Sequence, residues 1–390
     1  MKSIAIGIFS LLCLVSSLTA QTKPLIMRHA DSLSVSRKVG YLILKGHVYF
    51  VHDSAQFKTE RAVWNRDVDM VQFDGGFLFT HPGGFVQASS GNYQKKTEIA
   101  SATGNVIAKD SAGTYALFGE HLIYDRKNEI LTLPLHPRLQ QYEVQKDSTI
   151  DTLTIVAEQI IYKKADEYAE AFKNVKLTQK DLTATCDTAY LDKKNSWLAL
   201  TGSPKFFMDG YELSGDSIFV VIDQESRSLK SALVIRNAHG VQEEPGKDSL
   251  PGKHVEAEGD TLYAEFKDQK ISRLYVNLNA RGFFYESDLK NYRNTLDGNR
   301  LDISFKDGKL DSALVSGNAA STYFYVKNDR SIAGKNEAAG DTISVTFKAG
   351  EISRLKMLGD KTLASGRYYN LEKELTKKTD STTVEEEKPQ

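Results

Sequence analysis

Eight histidines, two cysteines and several acidic pairs are the residues here that could build an active or metal site, and their spacing argues against one. The histidines, His29, His47, His52, His81, His121, His136, His239 and His254, form neither His-x-His nor His-Glu-x-x-His. His47 and His52 are five apart, which places them on opposite faces of a regular strand. The Gly-Asp pairs at 215–216, 259–260 and 340–341 lack the acidic nonapeptide of calcium turns and read as strand-entry turns. Asp67 and Asp69 read as solvated turn carboxylates, because no aromatic cleft signal accompanies them. There is no Gly-x-Ser-x-Gly elbow and no phosphate loop. Cys186 lies in the alternating run Ala184-Thr185-Cys186-Asp187, with nothing beside it to activate a thiol. The expectation is a protein that is not an enzyme and carries no metal or cofactor.

What such a chain positions must be read from its elements. With 390 residues, 41% apolar and 10% aromatic, it can bury a large core. Lys plus Arg number 50 against 51 Asp plus Glu, so no global field draws it to nucleic acid. Residues 1–20 read as a signal peptide, with Lys2, an apolar stretch from Ile4 to Leu18, and Leu18-Thr19-Ala20 before Gln21. Removing it leaves Cys186 as the only cysteine and excludes an internal disulfide.

A repeat organises the remainder. A polar anchor recurs at Asp31, Glu60, Ser89, Glu120, Glu158, Asp187, Asp216, Asp260, Asn299 and Asp341, at intervals of 29, 29, 31, 38, 29, 29, 44, 39 and 42 residues. Apolar residues follow most anchors two and four positions later, such as Leu122 and Tyr124 or Ile160 and Tyr162, the period of a half-buried strand. A polar turn such as Arg126-Lys127-Asn128 comes next, then a return strand with a glycine midway, as in Lys45-Gly46-His47-Val48 or Thr201-Gly202-Ser203-Pro204. Glycine inside a strand marks a bulge or bend, and bent strands fold into two facing layers. The predicted fold is all-β: an elongated antiparallel β-jelly roll, or twisted sandwich of bent strands, built from about ten repeats, with a parallel β-helix as the alternative. The predicted divisions are a signal peptide at 1–20, an N-terminal repeat domain at 21–241, a C-terminal repeat region at 242–370 with its seam near Pro245–Pro251, and a disordered tail at 371–390.

The fragments Ala157-Glu158-Gln159-Ile160-Ile161-Tyr162, Thr103-Gly104-Asn105-Val106 and Leu198-Ala199-Leu200-Thr201-Gly202, in register behind an export signal, resemble the OstA/LptA family over roughly residues 28 to 370. The resemblance implies a bent-strand jelly roll in the periplasm, with a place peripheral to the outer membrane as the alternative. Its apolar interior shelters lipid A acyl chains of lipopolysaccharide between the inner-membrane extraction complex and the outer-membrane translocon. Head-to-tail self-association is a further expectation of the resemblance. Exposing a twelve-carbon chain to water costs about 10 kcal/mol at about 0.8 kcal/mol per methylene, which an apolar trough would offset.

Under this resemblance the trough wall takes the inward positions. In the early copies these are Leu33, Val35, Leu42, Leu44, Val48, Phe50, Trp64, Val71, Phe73, Phe77 and Phe79. Further along they are Leu122, Tyr124, Leu131, Leu133, Ile160, Tyr162, Val175, Leu177, Leu191, Leu198, Leu200 and Phe206. Ordinary core packing is the competing reading of every one of them. The alternative function is a structural or glycan-binding exported β-repeat protein with outward aromatics at Tyr190, Phe219 and Tyr263. A β-helical polysaccharide enzyme ranks last, since the repeats supply no carboxylate cluster.

Overall fold

The computed structural model describes residues 24–36, 40–52, 54–144, 148–163, 166, 168–180, 182–192, 194–208, 210–223, 229–246, 251–268, 270–348, 351–359 and 364–371. The signal peptide and residues 372–390 of the predicted tail lie outside them. The regular elements of the described residues are all strands, and their pairings are antiparallel, so the jelly-roll expectation holds and the β-helix does not. By compactness the described residues form two units, one of residues 24–204 with 221–223, the other of residues 205–220 with 229–371.

The first unit holds β1 (Ile26–His29), β2 (Ser32–Ser36), β3 (Tyr41–His52), β4 (Ala55–Asn65), β5 (Met70–His81), β6 (Gly84–Gln94), β7 (Ile99–Asp110) and β8 (Tyr115–Asp125). It continues with β9 (Ile130–Pro134), β10 (Arg138–Val144), β11 (Ile150–Val156), β12 (Gln159–Lys163), β13 (Tyr168–Gln179), β14 (Leu182–Asp192) and β15 (Trp197–Thr201). Each long strand breaks register midway, between Lys45 and Val48, Asp74 and Phe77, Thr103 and Val106, and Phe172 and Val175. The first half of β3 pairs with the second half of β4, and the reverse, so the halves sort into two leaves. Ring contacts close the space between them: Phe50 meets Trp64 at 6.2 Å and Phe73 at 6.0 Å, and Phe57 stacks on Phe73 at 5.5 Å.

The bends have a common construction. Paired left-handed residues occupy Gly46-His47, Gly75-Gly76, Gly104-Asn105, Leu135-His136, Lys173-Asn174 and Gly202-Ser203, each pair fifteen and sixteen residues after its anchor. Gly, Asn and His enter this region at the lowest cost. The anchor then fastens the bend: Asn174 Nδ2 donates to Glu158 Oε1 at 2.8 Å, and the Asp31 N–H donates to the Gly46 carbonyl at 2.9 Å. At Gly202 a Cβ would stand 2.5 Å from the Asp187 carboxylate, so glycine is required there.

The second unit carries β16 (Lys205–Met208), β17 (Tyr211–Ser214), β18 (Ser217–Ile222, whose last two residues group with the first unit), β19 (Leu229–Glu244), β20 (Lys253–Lys267) and β21 (Lys270–Glu286). It ends with β22 (Asn294–Lys306), β23 (Lys309–Val326), β24 (Ile332–Lys348), β25 (Glu351–Leu358) and β26 (Ser365–Asn370). The same bend recurs at Arg236-Asn237 and Leu278-Asn279, where Asn237 and Asn279 donate to Asp216 and Asp260 at 2.9 and 3.0 Å. Phe284 and Phe347 meet across its interior at 5.4 Å. β19 and β20 pair along their length on either side of the Pro245–Pro251 segment.

Candidate functional site

The interior of the first unit grades from dry to polar away from the bends. Next to the bend line it is filled: Phe50 and Phe73 are both 0% exposed, and Leu44, Val48, Val71 and Val175 are buried beside the bulges that turn their strands inward. Leu133, Ile160, Tyr162, Leu177, Leu191, Leu198 and Leu200 are buried as the alternation requires, and Leu42 and Trp64 are half-buried. Phe206 is buried in the second unit.

Leu33 and Val35 depart from the inward reading, being 49% and 60% exposed. β2 is in register with β3, pairing Leu33 with Leu44 and Val35 with Leu42, so the face is as expected. Alternation fixes the face of a strand but not whether anything covers it.

Away from the bends the leaves part around a cavity of about 90 Å³. Phe57, Phe77, Val86, Leu122 and Leu131 form its apolar floor, with Phe79 and Tyr124 nearer the rim. His52, His81, Tyr93, Glu98 and Arg126 complete the rim from strand ends and turns of both leaves. The cavity is somewhat over half the size of the ~150 Å³ apolar cavity that admits a benzene ring. That is room for a few methylene groups. Five of the expected wall residues line it: Phe77, Phe79, Leu122, Tyr124 and Leu131.

The rim is where the periodicity reading stopped short. Tyr93 is only 4% exposed, and its hydroxyl, with Arg126 as its polar neighbour, makes no hydrogen bond of good geometry. Burial raises its phenol above the ordinary value, opposed by the Arg126 charge. Burial likewise pushes Tyr124 up to about 12, so both phenols stay protonated donors. His81 Nδ1 accepts from the Gly83 N–H at 3.2 Å, which leaves its ring proton on Nε2. Arg126 Nε and Glu98 Oε2 are 3.7 Å apart across the turn. The anchor-plus-four position names Tyr93, but the histidines and Arg126 close strands rather than fill them, and alternation does not select strand ends.

Elsewhere, Cys186 is buried and its thiol is pushed up to about 12 by desolvation, with Asp187 adding to the effect. Among the described residues no cluster of His, Cys, Asp and Glu is arranged to hold a metal ion. Phe219 is exposed, while Tyr190 and Tyr263 are half-buried on outward positions, Tyr190 stacking on Tyr168 at 6.3 Å beside Trp197.

Comparison with known proteins bears on the segment that holds most of the first unit's bends. No curated protein matches the sequence significantly. A solved structure described as LptH, the LptA homologous periplasmic component of the conserved lipopolysaccharide transport device from Pseudomonas aeruginosa, is similar at 15% identity and a TM-score of 0.26, covering 29% of this chain and 82% of that one. Residues 85–226 match the family described as LptA/(LptD N-terminal domain) LPS transport protein. That segment takes in the bends anchored at Ser89, Glu120, Glu158 and Asp187, together with much of the cavity wall, and it is over this segment that the chain is similar to the OstA/LptA-like family.

Proposed function

We propose that this chain is a periplasmic lipopolysaccharide-transport protein that shelters lipid A acyl chains between its leaves. The observation that carries the reading is the cavity between two bent-strand leaves, apolar at its floor and open at a polar rim, part of whose wall lies in the segment matching this family. Its floor removes hydrocarbon from water at about 0.8 kcal/mol per methylene. A full acyl chain exceeds about 90 Å³, so loading requires the leaves to part along the rim while the bends act as the hinge. β1 and β2 pair on β3 and leave Ile26, Met27, Leu33 and Val35 exposed, the kind of edge that accepts a strand from a membrane-anchored partner or a second copy.

Photo-crosslinking in cells tests the reading. A benzophenone amino acid at Phe79 or Leu131 is expected to capture lipopolysaccharide, whereas the same probe at outward Gln72 is not. Equal capture at all three, or none at the first two in a folded protein, overturns it. The outer-face cluster of Tyr168, Tyr190 and Trp197 favours a second reading as a saccharide platform. Tyr190→Ala would then weaken oligosaccharide binding and leave lipid capture intact.

A further inference from the structure

The apolar floor accounts for a hydrocarbon chain, but the rim above it is built of hydrogen-bond donors that such a chain does not use. We propose that this rim, centred on His81, Tyr93 and Arg126, is a subsite for the anionic oxygen head of an acyl amphiphile whose chain enters the cavity floor. The proposal rests on the lipid-binding reading above and adds the head-group chemistry to it.

Three observations on different residues converge. The Tyr93 hydroxyl is buried against the cavity beside the Arg126 guanidinium but makes no hydrogen bond of good geometry, a state that a ligand oxygen relieves. His81 lines the same rim, its Nδ1 accepting from the Gly83 N–H at 3.2 Å. Arg126 stands 3.7 Å from Glu98, longer than a hydrogen-bonded ion pair, and both side chains are about one-third exposed. A guanidinium held this loosely can re-pair with a phosphate or carboxylate, to which its hydrogen bonds are stronger than to neutral acceptors. Glu98 is the one carboxylate among the described lining residues and opposes an anion. The donors of Arg126, Tyr93 and Tyr124 outnumber it. A neutral sugar head uses hydroxyl donors and acceptors in equal measure and gains less from a rim so weighted toward donors.

The head can be the phosphate of a glycolipid or the carboxylate of a free fatty acid. The test is displacement of the neutral fluorophore N-phenyl-1-naphthylamine from the full chain by dodecyl phosphate, dodecanoate and dodecyl maltoside, each below its micelle concentration. Wild-type protein is expected to prefer the anionic amphiphiles over the maltoside by roughly tenfold, equivalent to about 1.4 kcal/mol. In Arg126→Gln/His81→Ala that preference is expected to vanish, and Tyr93→Phe is expected to reduce it several-fold. Arg126→Lys keeps the charge and retains most of the preference, and outward Lys58→Gln leaves it as in wild type. Stronger displacement by the phosphate assigns the head to a phosphorylated lipid, and by dodecanoate to a fatty acid; both support the subsite. Equal displacement by all three amphiphiles, or an unchanged preference in the double variant with an unaltered far-ultraviolet spectrum, overturns the subsite while leaving lipid binding standing. Failure of the fluorophore to bind wild type, or of every amphiphile to displace it, strikes instead at the lipid-binding reading.

Discussion

Asp31 and His47 meet across the first bend, with Nδ1 of the imidazole 2.9 Å from Oδ2 of the carboxylate, while His29 Nε2 lies 3.1 Å from Oδ1. The hydrogen bond to His47, then that to His29, lowers the Asp31 carboxyl below its ordinary value, and Asp31 raises His47 above 6.5. The signs follow from linkage. The His47 contribution is complete below pH 6.5 and fades as pH rises through its higher folded value, whereas the Asp31 contribution is complete above pH 3.8 and fades as pH falls through its lower one. The pair is therefore fully charged between about pH 4 and 6.5. Nuclear magnetic resonance titration is expected to find His47 above 6.5 in wild type and back near 6.5 in Asp31→Asn; an unmoved His47 would show that the contact does not persist in solution.

The same bend made with glycine gives a stability prediction. Gly202 has φ of 79°, and its missing Cβ makes room for Asp187 at what would be 2.5 Å. Gly202→Ala combines a left-handed alanine with that collision and is expected to cost about 2–4 kcal/mol. Gly113, with φ of 70° and nothing within 4 Å of a Cβ, carries only the backbone part, about 1–2 kcal/mol as alanine. Denaturant midpoints measured side by side separate the two, and equal shifts would mean that the anchor contributes nothing.

These bends also show how far the sequence could be read. Glycine at 46, 75, 104, 202 and 317 announces the turn of the strand, because few other residues sit there at low cost. Leu135, Lys173, Arg236 and Leu278 make the same turn with residues of no special conformational preference, and composition is silent about them. The spacing from the anchor is the signal that finds Leu135 and Lys173, since Glu120 and Glu158 precede them by the same fifteen residues as Asp31 precedes Gly46. The candidate site was legible to a lesser degree. Alternation identifies Phe77, Leu122 and Leu131, but Phe57 precedes the anchor of its strand, where the repeat pattern does not reach, and His81 and Arg126 sit at strand ends. A cavity is a property of two leaves together, which no single strand pattern records.

Cys186 tests the packing of the second half of the first unit without a substitution. Its thiol is buried, and desolvation first, then Asp187, pushes it up to about 12, so almost none is thiolate at neutral pH. Iodoacetamide at pH 8 is expected to label it at least a hundredfold more slowly in the native chain than in denaturant. Labelling at the unfolded rate would show that the strands around Ala184 and Leu200 open freely.

Phe73 and Val35 are both on the expected apolar wall, yet they should behave oppositely. Phe73 is 0% exposed and lies between Phe50 at 6.0 Å, Phe57 at 5.5 Å and Phe77 at 5.2 Å, so Phe73→Ala deletes a ring on which three others rest. The expected cost is about 3–5 kcal/mol, the range for a buried phenylalanine whose surroundings collapse only in part. Val35 pairs with Leu42 on the same face but is 60% exposed, so Val35→Ala is expected to move the unfolding free energy by less than about 0.5 kcal/mol. If an edge partner covers that end of the sheet, Val35→Ala should instead weaken association while leaving the isolated chain as stable as before. Urea unfolding of both variants, followed by sedimentation of Val35→Ala against wild type over a concentration series, measures the two effects separately. A large loss of stability from Val35→Ala in dilute protein would mean that the end of the sheet is packed in solution and that the exposed edge at β2 is not available for docking.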